Sequence, residues 1–195
     1  LELAKVAKEA GADAVKYIFW FPDEIMAEDR QYTYEVNQYT VGYDVVTRRP
    51  TEIVTPLTVQ TSMYDLLNRL RLSFPEWVDL KFQCDKLGII MMTTVNCWSA
   101  YDWSLDLGLP IIKLSSWDWN FTDLWRMCAR TMLPCIADFA PVTEEEVERN
   151  VKIFEEEKNK ELMFLQCFHT QKYDQMNMNT IPYLREKFNC LVGYS

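Results

Sequence analysis

Lys16 and Lys113 sit where a lysine is hard to accommodate. In GADAVKYIF and GLPIIKLSS a glycine ends a helix and an apolar strand follows, with the lysine in or near the strand's C-terminal half. An ammonium group in an apolar strand is costly unless an anion meets it. In open α/β sheets and α/β barrels, ligands collect at the C-terminal strand ends. Two lysines so placed point to a phosphate or carboxylate ligand.

The elements that position them are legible along the chain. Strand-like runs fall at 14–20, 88–95, 110–116, 134–140, 162–168 and 190–194. From the second run onward they recur at roughly 22 to 28 residues, the length of one strand, loop and helix unit. SFPE at Ser73 to Glu76 and TEEE at Thr143 to Glu146 are capping-box patterns that open the amphipathic stretches PEWVDLKFQCDKL and EEEVERNVKIFEEEK. Gly11, Gly88 and Gly108 follow helix C-termini, where the left-handed conformation favours glycine. The strands read as continuous apolar runs, as expected when both sheet faces are covered. The spacing therefore predicts a parallel sheet with helical crossovers, in one domain spanning 1–195.

Composition narrows the partners. A formal charge of −9 argues against a nucleic-acid footprint, which would show as a basic stripe. No apolar run reaches the roughly 18 to 20 residues of a bilayer span, and LELAKVAKEAGA has the charge pattern of neither a signal peptide nor an anchor. The six cysteines lack CxxC or paired spacing and fall mostly inside predicted elements. Reduced thiols acting as small hydrophobes, in a cytoplasmic protein, fit that distribution. The acidic stretch EEEVERNVKIFEEEK reads as a solvated helix face.

Residues 21–61 break the rhythm. They are rich in Tyr, Thr, Asp and Glu, contain RRP and TP, and exceed the usual connection length. They read as a long inserted loop on the ligand side: a lid, an interface arm of a homodimer, or a partly ordered excursion. The chain starts inside a helix pattern and stops just after a strand pattern, so the reading expects a boundary cut at both ends.

The blocks AKEAGADAVK, KLGIIMMTTV, GLPIIKLSS, LPCIADFAPVTEEEVE, LQC and above all IPYLREKFNCLVGYS resemble successive blocks of the N-acetylneuraminate (sialic acid) synthase family. The resemblance implies a (β/α)8 TIM barrel of which this chain supplies strands two to seven, lacking the first and last. It implies a transferase that condenses phosphoenolpyruvate with an N-acetylated amino sugar, using a divalent metal (Mn or Mg). The family's metal-binding histidines do not map onto this chain, so the resemblance implies no metal ligands here and no activity from this segment alone. The alternative reading is a non-catalytic sugar- or phosphate-binding module derived from the same barrel.

Carried over residue by residue, Lys16 matches the lysine of an AVKFQ-type strand, and Lys113 with Ser116 matches a KIASG-type strand. Thr94 matches the threonine of an STPF-type strand, and Ser195 the serine of a GYSDH-type block. These are the expected phosphoenolpyruvate contacts. Asp118, where the family often has an acidic residue, is the expected catalytic residue for the sugar or its protons. Each also has a structural reading: lysines snorkelling to a rim, hydroxyls bonding to backbone, Asp118 capping the next helix. The chain departs from the pattern at Asp138, in place of serine, with Ala140 after it, and at Ile18, in place of glutamine. Gln166 and Cys167 stand where the family has HC, followed by His169, Thr170 and Gln171. Asp138 would repel a bound phosphate unless protonated or paired with Lys16 or Lys113. His169, the sole histidine, reads as a hydrogen-bonding group, and Trp117 or Trp119 as a surface for stacking a sugar.

Overall fold

All six apolar runs become strands of one parallel sheet. The computed structural model describes every residue except 45–48, 140–141 and 168–171. Two units emerge, Leu1–Trp20 with Leu72–Ser195, and Phe21–Arg71. The first opens with α1 (Glu2–Glu9) and β1 (Ala14–Ile18). The second consists of α2 (Pro22–Ile25), β2 (Gln31–Asp44), β3 (Arg49–Ser62) and α3 (Met63–Leu70). The first then resumes with α4 (Phe74–Leu87), β4 (Ile90–Val95), α5 (Trp98–Asp106), β5 (Ile112–Leu114) and α6 (Thr122–Arg130). It ends with β6 (Cys135–Phe139), α7 (Glu144–Glu156), β7 (Leu162–Gln166), a 3-10 turn (Tyr173–Gln175), α8 (Thr180–Phe188) and β8 (Val192–Tyr194).

The sheet order is β1-β4-β5-β6-β7-β8, with every pair parallel. Each strand pairs with the next one along the unit, so the sheet is singly wound. A doubly wound fold would reverse direction at a switch point. The architecture is an α/β partial barrel of six strands, as the sequence leads one to expect.

Local chemistry sets the helix boundaries. At α4 the Ser73 backbone N–H and hydroxyl both donate to Glu76 Oε2, at 2.7 and 2.6 Å. At α7 the Thr143 N–H donates to Glu146 Oε2 at 2.8 Å, and the Glu146 N–H donates back to Thr143 Oγ1 at 3.3 Å. Both capping boxes are thus formed. Gly88 ends α4 at φ +65°, a left-handed conformation in which a side chain would strain the backbone. The charges of α7 do more than face water. Arg126 and Arg130 of α6 pair with Glu156 and Glu157, and Lys187 of α8 pairs with Glu144 and Glu148.

Register assigns the two faces, because partners in a parallel ladder project to the same side. Val95, Leu114, Ala137, Phe164 and Val192 form one row, and it packs into a core with Leu124, Trp125, Phe154 and Leu184 of the helices. Ile18, Thr94, Lys113, Ile136 and Met163 form a row on the opposite, inner face. The expectation of full cover on both faces holds for β5, which is buried throughout, and nearly for β4, but not for β6 and β7. There the helix-side residues other than Phe139 are buried, whereas Ile136, Asp138, Met163 and Leu165 are half-buried. Within this unit helices cover one face only, so the inner face keeps solvent contact.

The second unit is more regular than an inserted loop. β2 and β3 pair antiparallel from Gln31–Ser62 to Asp44–Arg49. The RRP and TP prolines that argued against strand lie in β3, within a two-stranded ribbon. Each strand of such a ribbon has a free edge, and proline is tolerated where its missing N–H faces away from the partner. Ser62 caps α3 by accepting the Asp65 N–H at 2.9 Å, and the Tyr64 hydroxyl donates to Asp23 at 2.5 Å.

Candidate functional site

The two lysines meet on the inner face. Lys16 lies in β1, two residues before Ile18, so it shares the face of the row that holds Thr94 and Lys113. Its ammonium donates to Thr94 Oγ1 at 3.3 Å. Lys113 is only 4% exposed. It forms an ion pair with Asp138, which is two residues beyond Ile136 on the same face, and reaches the Leu114 carbonyl at 3.5 Å. Asp138 was a departure from the family pattern; here it is the counter-ion of one of the two candidate anion-binding lysines. Of the two pairings foreseen for it, Lys113 is the one formed.

Electrostatics tie the cluster together. Burial holds the Lys16 ammonium below its ordinary pKa, and repulsion from Lys113 adds to this, while Asp138 and Cys167 pull the other way. Burial pushes the Asp118 carboxyl up to about 6, against the opposing pull of Lys113 and a hydrogen bond from the Ser115 backbone. A carboxyl poised there can hold or release a proton near neutral pH. Three buried acceptors at or beyond the ends of β4, β5 and β6 lack a hydrogen-bond partner among the described residues: Asn96 Oδ1, Asp118 Oδ2 and Asp138 Oδ1. Gln166 Oε1 is also unpartnered, but Gln166 pairs in register with Phe139, on the helix side, and its amide donates to the Met176 carbonyl at 3.3 Å.

The turn between β5 and α6 carries Ser116, Trp117 and Asp118. It is fixed by hydrogen bonds at several points. The Asp118 N–H donates to the Ser115 carbonyl at 3.1 Å, and the Phe121 N–H to the Asp118 carbonyl at 2.9 Å. The Trp125 indole N–H also donates to the Asp118 carbonyl at 2.9 Å, and that of Trp119 to the Asp138 carbonyl at 2.9 Å. Asn150 and Arg149 of α7 donate to the Trp119 carbonyl at 2.8 and 2.7 Å. Phe121, not Asp118, is the cap residue of α6, which corrects the capping alternative. Trp119 is 3% exposed and cannot stack on a ligand; Trp117 is 86% exposed.

The sequence-derived residues thus divide. Lys16, Thr94, Lys113 and, through its coupling to Lys113, Asp118 come together. Ser116 lies two residues past β5 and Ser195 one past β8, where its N–H donates to the Gln166 carbonyl at 2.9 Å. Both stand at C-terminal strand ends, outside the hydrogen bonds that join the lysines. Asn96, Cys167 and the Trp119 indole were missed. His169, Thr170, Gln171 and Ala140 lie outside the described residues.

The described residues do not form a site that a divalent metal would fit. Among the described residues no three His, Cys, Asp or Glu side chains converge. Of the two carboxylates that interact with Lys113, Asp138 is already its ion-pair partner. None of the six cysteines is in a disulfide, and burial raises the thiol of Cys135 to about 12, so it behaves as a hydrophobe. Among the described residues no helix is long and apolar enough to cross a membrane.

A singly wound parallel sheet that carries Lys16, Lys113 and Asp138 on one face has the architecture of part of an α/β barrel, the class of fold in which ligands bind at the C-terminal strand ends. The chain belongs to the NeuB family, whose family model matches residues 3–195. It is 28% identical to pseudaminic acid synthase of Campylobacter jejuni, over all of this chain and 52% of that protein. It is 25% identical to N,N'-diacetyllegionaminic acid synthase of Legionella pneumophila, over all of this chain and 51% of that protein. The chain therefore spans about half the length of these curated relatives. Its fold is similar to that of the N-acetylneuraminic acid synthetase of Leptospira borgpetersenii, solved with citrate, at a TM-score of 0.77 and 19% identity, over 99% of this chain and 57% of that one.

Proposed function

We propose that this chain is the phosphoenolpyruvate- and sugar-binding part of a nonulosonate synthase, in which a three-carbon unit is condensed with an N-acetylated amino sugar. The observation that carries the reading is the pair of lysines on the inner face near the strand ends, Lys16 and Lys113, in a chain of this family. Ammonium groups act as point charges on phosphate and carboxylate oxygens, and Thr94, Ser116 and Ser195 add hydroxyl donors. In the condensation a new carbon–carbon bond forms at the sugar's carbonyl carbon, the carbonyl oxygen takes up a proton, and water releases phosphate. In this reading Asp118 supplies that proton. The divalent metal of the family, Mn or Mg, would be held by residues other than those described. The reading is of a cytoplasmic biosynthetic enzyme, and a homodimer remains compatible with it.

The Lys113–Asp138 pair favours a second reading, a binding module that no longer catalyses. An internal carboxylate neutralises one of the two cations, so an incoming trianion must compete with it. The two readings separate on calorimetric titration of phosphoenolpyruvate into the wild type and Asp138→Ser. The synthase reading expects binding in both, tighter in the variant by roughly tenfold or more, as release of one Coulombic competitor implies. Equal affinities would show that Asp138 does not oppose the ligand. Binding by neither protein would overturn the phosphoenolpyruvate assignment.

A further inference from the structure

We propose that Trp117 is a preformed stacking platform for the pyranose face of the N-acetylated amino sugar, set beside the carboxyl of Asp118. The inference rests on the synthase reading above and assigns its sugar side to a residue of this chain. Three observations carry it. The turn from Ser115 to Phe121 is fixed by backbone hydrogen bonds within itself and by Asn150, Arg149 and two indoles around it. Trp119 of this turn and Trp125 of α6 are buried in the core, their rings tilted against each other with centroids 4.6 Å apart, whereas Trp117 is 86% exposed. The neighbouring Asp118 carboxylate has a buried oxygen, Oδ2, without a hydrogen-bond partner among the described residues.

An indole leaves roughly 150 to 250 Å² of mostly apolar surface in water when it is not packed. Nothing in the core needs Trp117 there, since Trp119 and Trp125 already fill the space under the turn. A sugar ring has a face of C–H groups that an aromatic ring can cover and an edge of hydroxyls that need acceptors. Trp117 offers the first and Asp118 Oδ2 the second, one residue apart in a turn that loses little freedom on binding. The turn follows β5, the strand of Lys113, so the sugar would lie beside the anion held by the lysines.

The test uses acrylamide quenching of tryptophan emission, with N-acetylmannosamine as the sugar probe, and calorimetry with phosphoenolpyruvate. In the wild type the sugar is expected to protect saturably the quenchable emission that Trp117 contributes. Trp117→Ala should weaken sugar binding roughly three- to tenfold, the value of one aromatic contact, and Trp117→Phe should recover part of it. Phosphoenolpyruvate affinity, melting temperature and oligomeric state should be unchanged in both variants, because Trp117 packs against neither core nor lysines. Unchanged sugar affinity in Trp117→Ala, or no saturable protection in the wild type, overturns the platform. A change of oligomeric state in Trp117→Ala overturns it too, by assigning the indole to a protein contact. Absent phosphoenolpyruvate binding with Trp117-dependent sugar binding would remove the synthase reading and leave the platform standing.

Discussion

Asp138 changes what Lys113 can do. A buried ammonium 4% exposed needs a counter-charge, and the chain provides one from the adjacent strand instead of leaving the position to a ligand. Lys16, bonded only to a neutral hydroxyl in this cluster, is left as the cation more open to an anion. Asp118 yields a prediction in pH. An unfolded aspartate titrates at 3.8 and the folded Asp118 at about 6, so the folded state binds this proton more tightly. The contribution is fully present below pH 3.8 and is lost as pH rises through 6, by no more than about 3 kcal/mol given its partial solvent contact. Asp118→Asn removes this slope, so urea unfolding at pH 4, 5, 6 and 7 should show the variant gaining on the wild type as pH rises. Parallel curves across that window would mean that Asp118 titrates normally. The two lysines stood out in the sequence as charged residues inside apolar strands, whereas Asp118 entered only through the family resemblance. Asn96 and the Trp119 indole were not legible, because nothing in the sequence tells which face a polar residue after a strand takes until register is known.

Elements were legible where local chemistry and periodicity agree. Both capping boxes formed because Ser73 with Glu76 and Thr143 with Glu146 satisfy the first N–H groups of their helices without help from elsewhere in the fold. The β2–β3 ribbon was not legible, although its Tyr, Thr and Val content is strand-like. Pro50 and Pro56 argue against a strand only when both edges are paired, and whether a strand has one partner or two is a property of the sheet. The caps give the prediction at this scale. Thr143→Ala removes the hydroxyl that accepts the Glu146 N–H and should cost about 1 kcal/mol in denaturant unfolding, with Thr143→Ser close to the wild type. An unchanged midpoint in Thr143→Ala would show that the pairs of Lys187 with Glu144 and Glu148, and not the cap, hold the start of α7.

At the scale of the whole molecule, the order β1-β4-β5-β6-β7-β8 leaves two sheet edges. Among the described residues β1 pairs only with β4, and β8 only with β7. Unpaired strand edges present free N–H and C=O groups that another chain can meet, a hazard that closure of a barrel abolishes. The inner face adds to it, since Ile136, Met163 and Leu165 are only half-buried, and Leu3, Val6 and Leu191 are exposed elsewhere on the same unit. Against association stands a net charge of −9, which repels like copies. Repulsion between surface charges is screened within about 10 Å at 0.1 M salt and about 3 Å at 1 M, while edge pairing and apolar contact are not weakened by salt. The chain of 195 residues, studied by itself, should therefore self-associate as salt and concentration rise. Light scattering coupled to size exclusion, at low and at high sodium chloride over a tenfold range of protein concentration, reads this directly, and the thermal midpoint should move with concentration. A monomer under all these conditions, with a sharp and concentration-independent transition, would mean that the edges are covered within the chain and that six strands suffice for an autonomous fold.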